Sequence, residues 1–281
     1  MCLKDNFLCP LNNSNAIQKL GDSQNPDSTA LSLDEELALE FFSMALIWFD
    51  CLSCVTIGAN SEYADVYPSI LRIENGRIQL CKLMGSQNWV MVAIMDIALL
   101  AEWKIAREGT GDLSQSQLAR RAACIEDQLE TGMQENRARQ IGDNSDPCGV
   151  RAQESQHVTH IFACAAKVYL YVVQSGGYPK IPEIKVSVLA ALKAFQDLPD
   201  DQLICHLVWP FCIVSCMADA ENEDEFRKIA SLANTDREIF CNFQNAASIM
   251  EECWRVRKSQ ISSSCSWETA MSSLGVQTLL V

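Results

Sequence analysis

Apolar residues in this chain recur every three or four positions and hardly ever alternate. Leu118, Ala122, Ile125 and Leu129 form one such set, and Val158, Phe162, Ala165 and Tyr169 another. Ile184, Val188, Leu192 and Phe195 form a third, and Phe243, Ala247, Met250 and Trp254 a fourth. A helix turns once per 3.6 residues, so each set shares one face, whereas a half-buried strand needs a period of two. The expected fold class is therefore all-α, an irregular domain of roughly ten packed helices. The helix lengths vary and no fixed period repeats, which sets a solenoid aside.

Punctuation divides these segments at Gly109 to Asp112, Gly142 to Gly149, Gly176-Gly177-Tyr178-Pro179 and Leu198-Pro199-Asp200. The polar stretch 134–152 is the expected long loop. Residues 1–31, rich in Asn, Ser, Asp, Pro and Gln, read as a flexible leader, and the helical domain is expected over 32–281. It starts with Ser32-Leu33-Asp34-Glu35, the spacing of a capping box, in which each end's side chain satisfies a backbone N–H left free by the first turn.

With 48% hydrophobic residues over 281 positions the chain can bury a sizeable core. Its formal charge of −14 repels phosphate, so no direct nucleic-acid binding is expected from this chain alone. Fourteen cysteines follow no secretory leader, and Cys81, Cys164, Cys205, Cys212, Cys216 and Cys253 lie in apolar stretches. They are expected to be reduced, small core residues. The apolar runs Trp89 to Leu100 and Leu203 to Ala218 are too short to cross a bilayer, and no membrane partner is expected.

The constellations that could carry chemistry are sparse. Cys51-x-x-Cys54 is half a zinc site without a second pair, and Cys212 and Cys216 are one turn apart, so both read as helix faces. His157 and His160 share a face but have no third ligand in sight, and read as solvated or capping; His206 reads as a core histidine. Gly109-Thr110-Gly111-Asp112 follows a helix rather than a strand and reads as a helix-to-helix turn, not a phosphate loop. Asp200-Asp201 and the acidic run Asp219 to Glu225 are set against the Mg²⁺ sites of helical isoprenoid enzymes, but no acid follows Asp200-Asp201 one turn on, and Asn245, Ser248 and Glu252 miss the four-residue steps of three ligands on one face; the acids read as helix starts. Arg255, Arg257 and Lys258, a basic group usable in nuclear import, read first as cations at a helix C-terminus. No cofactor and no metal site are expected.

Five segments together resemble the fungal-specific transcription factor domain, the large helical region of fungal zinc binuclear-cluster regulators. Leu46-Ile47-Trp48-Phe49-Asp50-Cys51-Leu52-Ser53 is similar to its Trp-x-Asp helix. Leu83-Met84-Gly85 leading into Ile94-x-x-Ile97-x-x-Leu100-Ala101 is similar to its Gly-led apolar helix. Ala165-Ala166-Lys167-Val168-Tyr169-Leu170-Tyr171, Trp209-Pro210-Phe211 before Cys216-Met217-Ala218, and Ile249-Met250-Glu251-Glu252-Cys253-Trp254-Arg255 follow in the family's order.

The resemblance implies a non-enzymatic regulator of transcription in the nucleus, for instance of a secondary-metabolite gene cluster. Its partners would be a DNA-binding regulator or the transcription machinery, with a small-molecule effector as a further ligand. The family's cysteine-rich reader needs six close cysteines, and residues 1–31 hold Cys2 and Cys9, so no zinc ligands carry over. Helical grooves lined by Trp48, Trp103, Tyr169 and Trp209 would receive the effector or a partner helix, the alternative being that these aromatics are core. A helical enzyme of isoprenoid type and a non-catalytic scaffold are the competing readings.

Overall fold

A computed structural model describes residues 32–58, 62–73, 76–140, 147–233, 242–259 and 264–281. The expected leader, 1–31, lies outside them. The chain divides into two units between Leu39 and Glu40, of which the first is described only over 32–39 and the second is Glu40–Val281. In the first, Ser32 and Glu35 close the capping box: the Ser32 N–H donates to Glu35 Oε2 at 2.8 Å and the Glu35 N–H to Ser32 Oγ at 3.4 Å.

The described residues hold eleven α-helices and one 3₁₀ element and no strand. They are α1 Leu33–Ile57, α2 Tyr67–Leu71, α3 Cys81–Met84, α4 Asn88–Thr110, α5 Gln115–Gln140, α6 Pro147–Ser175 and α7 Pro182–Gln196. The 3₁₀ element Asp201–Leu207, α8 Val208–Cys216, α9 Glu223–Ala233, α10 Phe243–Ser259 and α11 Trp267–Leu274 complete the order.

The centre is α6, which packs on α4, α5, α7 and α8. From Val158 to Val173 it is apolar nearly all round, and a helix of that kind is stable only when neighbours cover every side. The same holds for α8, buried at every position from Val208 to Cys216. Pro210 sits in its first turn, where the missing N–H is one the helix would leave free in any case. On α5 one face is buried (Leu118, Ala122, Ile125, Leu129, Met133 and Asn136), as the spacing predicts, and Lys167 and Tyr171 of α6 close the seam onto Glu130 and Glu126.

One expectation changes. The stretch 134–152 is not one long loop: α5 runs to Gln140 and α6 starts at Pro147. Gln134-Glu135-Asn136-Arg137-Ala138-Arg139-Gln140 is polar enough to look like a linker, yet almost every residue in it is a good helix former. The apolar run Leu203 to Ala218 divides into two elements: Asp200 caps a 3₁₀ element through the Gln202 N–H at 2.8 Å before α8 begins. At 25 residues α1 is long and apolar enough to cross a bilayer by length and composition; its face from Met44 to Thr56 is core. Its outer face leaves Phe41, Phe42, Leu46 and Phe49 exposed.

The C-terminus of α8 is finished by a helix far along the chain. Trp254 Nε1 donates to the Ser215 carbonyl at 2.8 Å, Arg257 Nη2 donates to Ala218 O at 2.9 Å, and Arg257 Nη1 reaches Cys216 O. These are carbonyls that an α-helix cannot satisfy from within.

Glu252, on the same helix, is held at a carboxyl pKa of about 2 by the Arg255 guanidinium 2.6 Å away and by the Ser273 hydroxyl. Because its folded value lies below the ordinary 4.5, its contribution is complete above about pH 4.5 and drains away as pH falls toward 2. Glu252→Gln should therefore flatten the dependence of Tm on pH between 5 and 2.5; a variant whose Tm falls with acid as steeply as the parent's would refute this.

Candidate functional site

Three of the four aromatic residues singled out from sequence meet in one cluster. Phe162 of α6 packs edge-on with Trp48 of α1 at 5.4 Å between centroids and stacks on Trp209 of α8 at 6.0 Å and 10°. Tyr169, two turns along α6, meets Trp209 at 6.2 Å and Trp267 of α11 at 5.6 Å. Trp48 and Trp209 are 1% exposed and Tyr169 5%, and burial pushes the Tyr169 hydroxyl's pKa up. Trp103 stands apart, half-buried on α4, with the Arg121 guanidinium 4.5 Å from its ring centre.

A concave site not foreseen from sequence lies between α4 and α5. It is a groove of about 500 Å³ lined inside by Trp89, Val92, Ala93 and Gly132 and outside by Arg72, Asp127, Gln128, Thr131 and Glu135. Three local features build it. Asn88, at the start of α4, binds the Leu71 and Ile78 carbonyls at 3.1 and 2.7 Å and the Leu80 N–H at 2.9 Å, which fixes the segment carrying Arg72. Arg72 then pairs with Asp96 at 3.2 Å, a carboxyl whose pKa burial raises and Arg72 partly restores. The Trp89 indole is tethered: its Nε1 donates to Gln87 Oε1 at 3.1 Å, while Gln87 donates from its amide to Asn136 and from its backbone to Thr159.

Gly132 makes room for that ring. A Cβ at this position would lie 2.4 Å from Trp89 Cε3. An isolated glycine inside a helix costs up to about 1 kcal/mol relative to alanine, so its presence calls for a packing reason, and this was the one signal in the sequence that could have located the groove. Gly132→Ala should therefore lose more in overpacking, about 1–3 kcal/mol, than the helix gains in propensity. In a Trp89→Leu background the sign should reverse. Equal effects in both backgrounds, measured by urea unfolding, would show that ring contact is not the reason for the glycine.

The other motifs have structural roles. Cys51 and Cys54 are buried on the inner side of α1, with the Cys51 thiol's pKa raised by burial, and Cys212 and Cys216 are core. Among the described residues no three His, Cys, Asp or Glu side chains gather in a way that could hold a metal. His160 is half-buried within α6 with Nε2 3.8 Å from Cys164 Sγ, not solvated or capping. His206 is exposed on the 3₁₀ element rather than in the core, because α8, with the burial-prone residues, starts after it. The acidic run 219–225 is engaged in ion pairs: Asp219 with Lys185 at 3.0 Å, Glu223 with Lys258 at 2.7 Å and Glu225 with Lys228 at 2.6 Å. Gly111, at φ 73°, ends α4 and turns the chain into α5, as its helix-to-helix reading requires.

Comparison with known proteins decides the family, since the fungal specific transcription factor domain matches residues 14–281. The chain belongs to this family. The domain match begins inside the stretch read as a leader. Relatives include the transcription factor ntnD of a Nectria species, 32% identical over 233 residues, 80% of this chain and 38% of that protein. The trichothecene biosynthesis transcription regulator TRI10 of Trichoderma arundinaceum is 31% identical over 256 residues, 91% and 57% of the two chains. The ustiloxin B cluster transcription factor ustR of Aspergillus flavus is 30% identical over 289 residues, 96% and 49%. The chain thus spans about two fifths to three fifths of the length of these relatives. No solved structure matches it. Of the family landmarks visible in the sequence, Trp48, Tyr169 and Trp209 are the ones the buried aromatic cluster joins.

Proposed function

We propose that this domain is the regulatory part of a nuclear transcription regulator that governs a secondary-metabolite gene cluster, working by binding rather than catalysis. One observation carries the reading: the stretch that matches the family takes in the whole helical core, and proteins sharing it at about 30% identity are named for the control of trichothecene and ustiloxin B clusters. The charge of −14 favours action through a DNA-binding protein partner over contact with phosphate.

Gene deletion followed by transcript profiling across growth conditions tests the reading. Coordinated loss of one clustered gene set is expected, and an unchanged profile of every such set under every condition would refute it. The purified chain should leave duplex DNA unretarded even at about 0.1 mM in about 0.15 M salt, a concentration that reaches the range of ordinary non-specific binding; a shifted band would mean the domain contacts DNA itself.

A further inference from the structure

We infer that the groove between α4 and α5 binds a small organic cation with a flat apolar body. Its inner wall is apolar and firm: Val92 and Ala93 are buried, and the Trp89 ring is held between Gly132 and the Gln87 amide. A wall already fixed by Gln87, Asn136 and Thr159 need not be ordered by the ligand, which spares the binding step that cost. The groove, about 500 Å³, is open along its outer side, so a flat ligand lies in it with one face on the apolar wall and the other toward solvent.

Charge selects the ligand's sign. Asp127 and Glu135 stand two turns apart on α5, about 12 Å along its axis, and neither carboxylate has an ion-pair partner among the described residues. The one cation in the lining, Arg72, is already matched to Asp96. Among the described residues the site therefore keeps two negative charges without an ion-pair partner beside the Trp89 indole, a pairing that attracts ammonium and amidinium groups and repels carboxylates and phosphates. The acidic run 219–225, by contrast, pairs with Lys185, Arg227, Lys228 and Lys258.

As an effector site this groove rests on the regulator reading above; as a binding site it does not. Calorimetric titration of the full chain with tryptamine, tryptophol and indole-3-acetate separates the claims, because the three share one flat body and differ in charge. Tryptamine should saturate one site per chain below about 1 mM, with the alcohol and the acid at least about tenfold weaker. Asp127→Asn combined with Glu135→Gln, both exposed positions, should weaken tryptamine at least about tenfold while circular dichroism and Tm stay unchanged. Equal affinity for all three ligands, no saturable binding of the amine, or full binding by the double variant would overturn the site. An unchanged transcript profile after gene deletion, with tryptamine binding intact, would sink the regulator and leave the site standing.

Discussion

Replacing Trp209 by alanine should remove about 3–5 kcal/mol of stability, a large share of the roughly 5–15 kcal/mol that holds an ordinary domain folded. The ring is 1% exposed, stacks on Phe162 and meets Tyr169 edge-on, so its loss leaves a void bordered by α6 and α8 that rigid helices can only partly close. Trp103→Ala is the matched control. That ring is half-buried and set against Arg121 outside the cluster, and its removal should cost well under half as much. Urea unfolding followed by circular dichroism measures both. A Trp209→Ala loss below about 1 kcal/mol would contradict the cluster's place at the centre of the fold.

The second large effect falls on a surface-looking cation. Arg257→Ala should cost about 2–3 kcal/mol, because it strips a charged donor from two carbonyls at the end of α8, Cys216 and Ala218. Lysine should restore little, since one ammonium cannot reproduce a planar fork that spans two acceptors. Arg255→Ala, on an exposed side chain paired with Glu252 on the same helix, should cost far less. If Arg257→Ala and Arg255→Ala fall together near zero, the cap at α8 contributes nothing.

These two residues mark how far the sequence could be read. Trp209 stands in an apolar run interrupted by His206 and Pro210, a pattern that fits a groove or a core position, and the helices packed around α8 make it core. Arg257 is visible as part of a basic group, but its partner is not. A helix C-terminus attracts cations of its own chain segment, and nothing local says that this guanidinium serves a different helix instead. The helical class, the turn at Gly111, the capping box at Ser32 and the helix starts at Asp200 and Glu223 were legible because each depends on neighbours within four positions. The groove was not, since it needs α4 and α5 laid side by side; only Gly132, an unexplained glycine within a helix, hinted at it. His206 differs from its expected core place for a related reason: an apolar neighbourhood in sequence need not be one in space, and the 3₁₀ element turns this side chain outward.

The bonds that finish α8 come from residues 39 to 41 positions downstream. During synthesis at roughly 5–20 residues per second, the most buried helix of the domain therefore leaves the ribosome several seconds before its last carbonyls can find donors. Over that interval the emerged part, about three quarters of these 281 residues, carries a sticky, half-built centre that only the final helices can seal. A nonsense codon anywhere between Cys216 and Trp254 would then yield a product for holdase chaperones and proteolysis rather than a shortened regulator.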